Sequence, residues 1–156
     1  KKKKNKNIFL YDTFSGMSAP TKEDYLFSDK SKLAKDLLKD DQYLRCISNI
    51  AEVRKNVFKT RYPKNKFKFI IGDVKKTLKS KYPNKISLLR LDTDWYESTK
   101  IELNVLYPKL SKGGILIIDD YKTWGGCKKA VDEYFKDKNN IFFLTIDNEA
   151  LLGIKF

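Results

Sequence analysis

Four aspartates are the residues of this chain whose type and spacing could do chemistry: Asp92 and Asp94 in LLRLDTDWYEST, and Asp119 and Asp120 in GGILIIDDY. Each pair closes an apolar run of β character, Ile86–Leu91 and residues 115–118, and in an open α/β sheet the carboxyl ends of parallel strands face one crevice. Carboxylates gathered there repel one another unless a cation sits among them. Mg2+ or another hard divalent ion suits that place, because it takes oxygen ligands and needs few of them from protein. Taken alone, Asp119–Asp120 would read more readily as a strand-end turn or a helix cap than as metal ligands. Asp94 reads as a carboxylate at a helix start or as one that orients a neighbouring ligand.

The elements that must position these acids follow from period and punctuation. A short strand over residues 8–11 ends at Asp12, Phe67–Ile71 is followed by Gly72-Asp73, and Ile86–Leu91 and residues 115–118 are the next two strands. Helices are expected over residues 30–39 and 42–60; in the second, Ile47, Ile50, Val53 and Val57 recur at helical spacing and mark a buried face. A further helix carries a capping box at Thr99 and Glu102 and stops near Pro108, before a turn at Gly113-Gly114. The last helix spans 127–136, and residues 141–146 and 151–156 form a hairpin across Asp147-Asn148-Glu149. Strands alternating with helices imply βαβ units and a largely parallel α/β sheet.

Composition narrows the chemistry. The 156 residues include no histidine, which removes it as base or ligand and excludes zinc-finger, Ser-His-Asp and Cys-His sites. The net charge of +13 raises a nucleic-acid or acidic-glycan binding module as an alternative. The lysines are spread over the whole chain, however, and arginine stands only at 45, 54, 61 and 90, so no specific nucleic-acid partner is expected. Cys46 and Cys127 match no metal spacing, read as small core residues, and with no signal peptide in view suggest a cytoplasmic protein. No apolar run is long enough for a membrane span. Residues 1–7, opening on four lysines, read as a disordered basic loop, and residues 8–156 as one partial domain.

The string RLDTDWYESTKIELNVLYPKLSKGGILIIDDYKTWGGCKKAVDEYF closely resembles the macrocin O-methyltransferase family, whose members methylate sugar hydroxyls with S-adenosylmethionine and a divalent metal. YDTFSGM at 11–17, IAEVRKNVF at 50–58 and IGDVKKTL at 71–78 extend the resemblance over nearly the whole chain. It implies a Rossmann-like class I methyltransferase sheet, a metal held by Asp92, Asp119 and Asp120, and Asp92 as the general base. It also implies a cofactor site that includes Asp12, Gly72 and Asp73, with Asp12 on the ribose hydroxyls, and a sugar or glycoside as acceptor. Trp95, Tyr96, Tyr121 and Trp124 are candidate walls for the sugar, though packing is the commoner role for such residues. In that family a glycine-rich loop follows the first, central strand, and nothing before Ile8 supplies either. The chain is therefore expected to be the C-terminal part of a longer enzyme, or a split or non-catalytic fragment of one. Whether it forms a homo-oligomer stays open.

Overall fold

The computed structural model describes residues 6–40 and 45–156. Of the expected basic loop, residues 1–5 lie outside the described residues; within it, the Lys6 carbonyl accepts a hydrogen bond from the Tyr62 hydroxyl at 2.7 Å. Two short parallel strands, β1 (Ile8–Asp12) and β4 (Phe67–Ile71), pair in register so that Asp12 lies opposite Ile71. The Gly72 amide then donates to the Asp12 carbonyl at 2.9 Å, which places Asp12, Gly72 and Asp73 side by side.

The larger sheet has the strand order β5-β6-β8-β7. β5 (Ile86–Leu91) and β6 (Leu110–Ile118) run parallel, while β8 (Leu151–Lys155) is antiparallel to both β6 and β7 (Ile141–Thr145). The parallel strands and the terminal hairpin are those expected from the sequence. In the hairpin loop the Asp147 carboxylate accepts from the amides of Glu149 (2.7 Å) and Ala150 (2.6 Å), turning the chain without a glycine. Leu91 lies opposite Ile118, and the Asp119 amide donates to the Leu91 carbonyl at 3.0 Å, so the two acidic segments leave the sheet as neighbours. Among the described residues no strand joins β1 to β5, and each is the edge of its own sheet.

The helices α4 (Tyr96–Leu106) and α5 (Gly125–Phe135) cover one face of the larger sheet. Leu103, Leu106, Val131 and Cys127 pack there with Leu89, Leu91, Leu116 and Ile118 from the strands. The opposite face follows the pleat of the strands. Leu88, Ile115, Ile154 and Phe142 line up across four strands, with Leu88 58%, Ile154 41% and Phe142 57% exposed.

Several expectations are corrected. The helix expected over 30–39 begins only at Ala34, as α1 (Ala34–Asp40), because residues 29–33 form β3 (Asp29–Leu33) against β2 (Tyr25–Leu26). The Asp29 carboxylate draws the Ser31 amide (3.1 Å) and hydroxyl (2.7 Å) into a local turn that competes with the helix. The helix expected over 42–60 is α2 (Ile50–Phe58), started by Asn49, whose side chain accepts from the Ala51 amide at 2.7 Å; residues 41–44 lie outside the described residues. No residue of α2 is buried and Ile47 is 68% exposed, because the helix rests on a sheet of only two strands.

Thr99 and Glu102 are not a capping box, since α4 begins three residues earlier, at Tyr96, and both side chains are buried inside it. Gly113-Gly114 is not a turn ahead of a strand but an irregularity within β6, where Gly113 takes φ +71° and the pairing slips between Ile86 and Leu88. α3 (Val74–Thr77) completes the elements and sends Val74 and Leu78 into the core. None of the helices among the described residues is long and apolar enough to cross a membrane.

Candidate functional site

The carboxyl ends of β1, β4 and β5 open onto one cleft of about 260 Å³. Asp12, Gly72, Asp73, Asp92 and Asp94 all line it, together with Thr93, Ser98, Met17 and Cys46. Five of the seven aspartate and glycine positions singled out at the strand ends therefore share one space. Asp119 and Asp120 follow β6, and of these two only Asp120 joins the cluster. Oxygen atoms of Asp92, Asp94 and Asp120 lie within 4.8 Å of one another, a spacing that one cation can span.

Asp119 turns instead toward Arg90, whose guanidinium reaches its carboxylate at 2.9 Å and also pairs with Asp92. An arginine fork serves two carboxylates well because its donors are fixed in one plane. The pairing leaves Asp119 39% exposed and outside the group of three carboxylates, though beside Asp92.

The electrostatics of the cluster show what it lacks. Burial, helped by the charge of Asp92 and opposed by a hydrogen bond with Asp120, pushes the Asp94 carboxyl up to about 6. Burial, then the nearby Asp94, pushes Asp120 up to about 8. Asp119 is raised more weakly, by burial and by Asp92, with Arg90 opposing. Oδ2 of Asp120 is buried and has no hydrogen-bond partner, although such atoms are costly to leave unmatched. A proton or a cation satisfies both observations. The donor set consists of hard carboxylate oxygens and fits Mg2+ or Mn2+ rather than a thiophilic metal.

The turn that carries Asp94 is tightly built. Asp94 adopts φ +63°, a left-handed conformation that aspartate tolerates better than most residues. The Thr93 carbonyl accepts from the Trp95 amide at 2.7 Å and from the Ser98 hydroxyl at 3.0 Å. The Thr93 hydroxyl donates to Glu102 at 2.9 Å. Glu102 is fully enclosed within α4, and burial pushes its carboxyl up to about 8. Glu97, on the same helix, is by contrast exposed.

On the other wall, the Asp12 carboxylate accepts from the Phe14 amide at 2.7 Å, shaping the turn after β1. Gly72 takes φ +128°, and a Cβ there would press on the Thr77 methyl at 3.2 Å. Asp73 lines the cleft but its carboxylate is engaged as the cap of α3, accepting from the Lys75 amide at 2.8 Å with the Lys75 ammonium at 3.5 Å. The aromatic candidates are packing residues. Trp95 and Trp124 are 2% and 5% exposed and lie edge to face with centroids 5.0 Å apart. The Tyr96 hydroxyl donates to Glu133 and that of Tyr121 to Asp132, both at 2.7 Å. Cys127 is buried as expected, but Cys46 is exposed, at φ +48°, on the rim of the cleft.

Sequence reasoning gave no part in the site to Arg90, Glu102 or Asp24. For Arg90 a signal was available: it interrupts an apolar strand two residues before an acid, where alternation points both side chains to one face. For Glu102 and Asp24 no local pattern distinguishes them from solvated carboxylates.

Comparison with known proteins bears on the family and the fold. The chain is 33% identical over 150 residues to the demethyldecarbamoylnovobiocin O-methyltransferase of Streptomyces niveus, a match covering 95% of this chain and 55% of that protein. It is 28% identical over 141 residues to the mycinamicin III 3''-O-methyltransferase of Micromonospora griseorubida, covering 88% of this chain and 52% of the relative. The chain thus spans about half the length of these relatives. Among solved structures, the O-methyltransferase NovP superposes with a TM-score of 0.80 at 29% identity, over 98% of this chain and 61% of that one. The calicheamicin methyltransferase CalS11 superposes with a TM-score of 0.60 at 20% identity, over 96% of this chain and 60% of its own, a likeness of fold. The profile of the Macrocin-O-methyltransferase (TylF) family matches residues 1–151, and with a Rossmann-like methyltransferase fold beneath its acidic cleft the chain belongs to that family.

Proposed function

We propose that this chain carries the acceptor-activating side of an S-adenosylmethionine-dependent O-methyltransferase that acts on a sugar hydroxyl with the help of a divalent cation. The observation that carries the reading is the orphaned, buried Oδ2 of Asp120 in a three-carboxylate cluster beside a cleft at the strand ends. The relatives named above supply the substrate class. When bound, S-adenosylmethionine supplies an electrophilic methyl group and the cation supplies positive charge that favours the ionised form of an acceptor hydroxyl.

The residues of the chain do the rest. Asp12 offers carboxylate oxygens at the end of β1 to a ribose diol, and Gly72 leaves room for a flat ring to approach the backbone. Asp73 shapes that wall while capping α3, so its carboxylate contributes less than the resemblance implies. Asp92 and Asp120 belong both to the ligand set read from the resemblance and to the geometric cluster. Asp94 takes the place of Asp119 in that cluster. For the proton, Asp92 is paired with Arg90, and Asp94, which faces the same cleft, is a second candidate base. Methyl transfer requires no covalent enzyme intermediate, in keeping with the absence of histidine.

Titration of Mn2+ into the metal-free chain tests the reading. One bound ion is expected, with affinity reduced roughly hundredfold in Asp120→Asn and little in Asp119→Asn. Equal losses at the two positions would restore Asp119 as a ligand. Absence of binding by the unaltered chain would remove the cation from the proposal.

A further inference from the structure

Asp24 is a wholly buried carboxylate, 0% exposed, on the segment between β1 and β2. Its Oδ2 accepts from the backbone amide (2.6 Å) and hydroxyl (3.0 Å) of Thr21, and its Oδ1 accepts from the Tyr96 amide at 2.7 Å. Tyr96 is the first residue of α4, whose capping position, Trp95, makes no side-chain hydrogen bond. The missing cap is supplied by a residue distant in sequence. A charged acceptor at a helix amino end satisfies an orphan amide and complements the dipole.

The same carboxylate seats the second helix. α5 also begins without a side-chain cap, at Trp124. Its second residue, Gly126, lies so close that a Cβ there would overlap Asp24 Oδ1, and a Cβ on Gly125 would overlap the ring of Tyr25. The Gly-Gly start of α5 is therefore a seat for Asp24-Tyr25. Three further contacts hold the segment in place: the Trp95 indole donates to the Ser18 carbonyl (2.8 Å), the Phe27 amide to the Thr123 carbonyl (2.8 Å), and the Ala34 amide to the Asp24 carbonyl (2.9 Å).

Each helix starts where an acidic loop ends. Asp92 and Asp94 lead into α4, and Asp119 and Asp120 lead into α5. We infer that Asp24 is a positioning residue for the acidic centre, because it locks the amino ends of α4 and α5 together and so sets the distance between Asp94 and Asp120. The inference rests on reading these carboxylates as one cation centre, but the geometry it concerns can be measured without a cation.

Trp95 and Trp124 occupy the two capping positions, are the only tryptophans, and lie 5.0 Å apart, so their exciton couplet in far-ultraviolet circular dichroism reports the spacing of the loops. In folded Asp24→Ala the couplet should disappear and Mn2+ affinity fall roughly tenfold. Asp24→Asn keeps an acceptor for the Tyr96 amide and should restore the couplet and most of the affinity. Should Asp24→Ala fail to fold, Gly126→Ala drives a methyl onto Asp24 and should abolish the couplet in its place. An unchanged couplet in the folded alanine variants, with only a lowered melting temperature, would overturn the proposal. A chain that binds no Mn2+ but loses its couplet in Asp24→Ala would reject the cation reading and retain the positioning role.

Discussion

The two sheets meet at one cleft but are built to different standards. In the larger sheet, β5, β6 and α4 bury residues completely: Leu103, Leu116 and Ile118 have no exposed surface. In the smaller sheet, no residue of β1, β4 or α2 is buried, and the helix is held by half-covered aromatic contacts such as Phe58 with Phe67 and Phe69. The acids proposed to meet the cation stand on the first frame, whereas Asp12 and Gly72, proposed to meet the cofactor, stand on the second. A charged cluster needs a stiff frame, because displacement by a fraction of an ångström changes its internal repulsion. The smaller sheet is poorer because two strands cannot bury a face on both sides.

The sharpest way to break this contrast is to remove a side chain from each half. Leu116→Ala should cost about 2–5 kcal/mol by transfer and cavity terms, whereas Phe69→Ala, from a half-covered site, should cost under about 2 kcal/mol. Urea denaturation of both variants reads the difference, and equal costs would show that the halves are one cooperative core. Native-state hydrogen exchange offers a second reading. Amides of β1 and β4 should open with free energies at least about 2 kcal/mol below those of β6 and β8. Uniform protection across both sheets would contradict it.

The smallest effect concerns the support of the acidic turn. The Glu102 carboxyl keeps its proton in the folded chain up to about pH 8, whereas an exposed glutamate releases its proton near 4.5. Between these values the folded state holds more protons than the unfolded, so stability declines as pH rises; below both, the group has no effect. Glu102→Gln keeps an acceptor for the Thr93 hydroxyl and removes the titration. Its advantage over the unaltered chain should grow from pH 5 to pH 9 by at least about 1 kcal/mol, or a few degrees in melting temperature. A difference independent of pH would mean that Glu102 is already ionised and matched.

Much of the larger sheet was legible from sequence because its signals are local. Runs such as Ile86–Leu91, the hairpin around Asp147, and the α5 helix follow from period and turn chemistry, and the structure places them within one or two residues. The elements misread were those whose fate depends on distant partners. Residues 29–33 form a strand because β2 is there to pair with it, and α4 starts at Tyr96 because Asp24 caps it from across the chain.

The sequence by itself determined the family, the acidic chemistry and the strand ends on which the acids sit, because residue type and β-period survive without knowledge of contacts. Only the tertiary structure decided which acids face one another. Asp119 follows the same strand as Asp120 and carries the same side chain, yet it pairs with Arg90 outside the group of three, while Asp94, in a left-handed turn, joins Asp92 and Asp120. The grouping depends on the pairing of β5 with β6 and on the guanidinium shared between the two acidic segments, and both are contacts through space rather than along the chain.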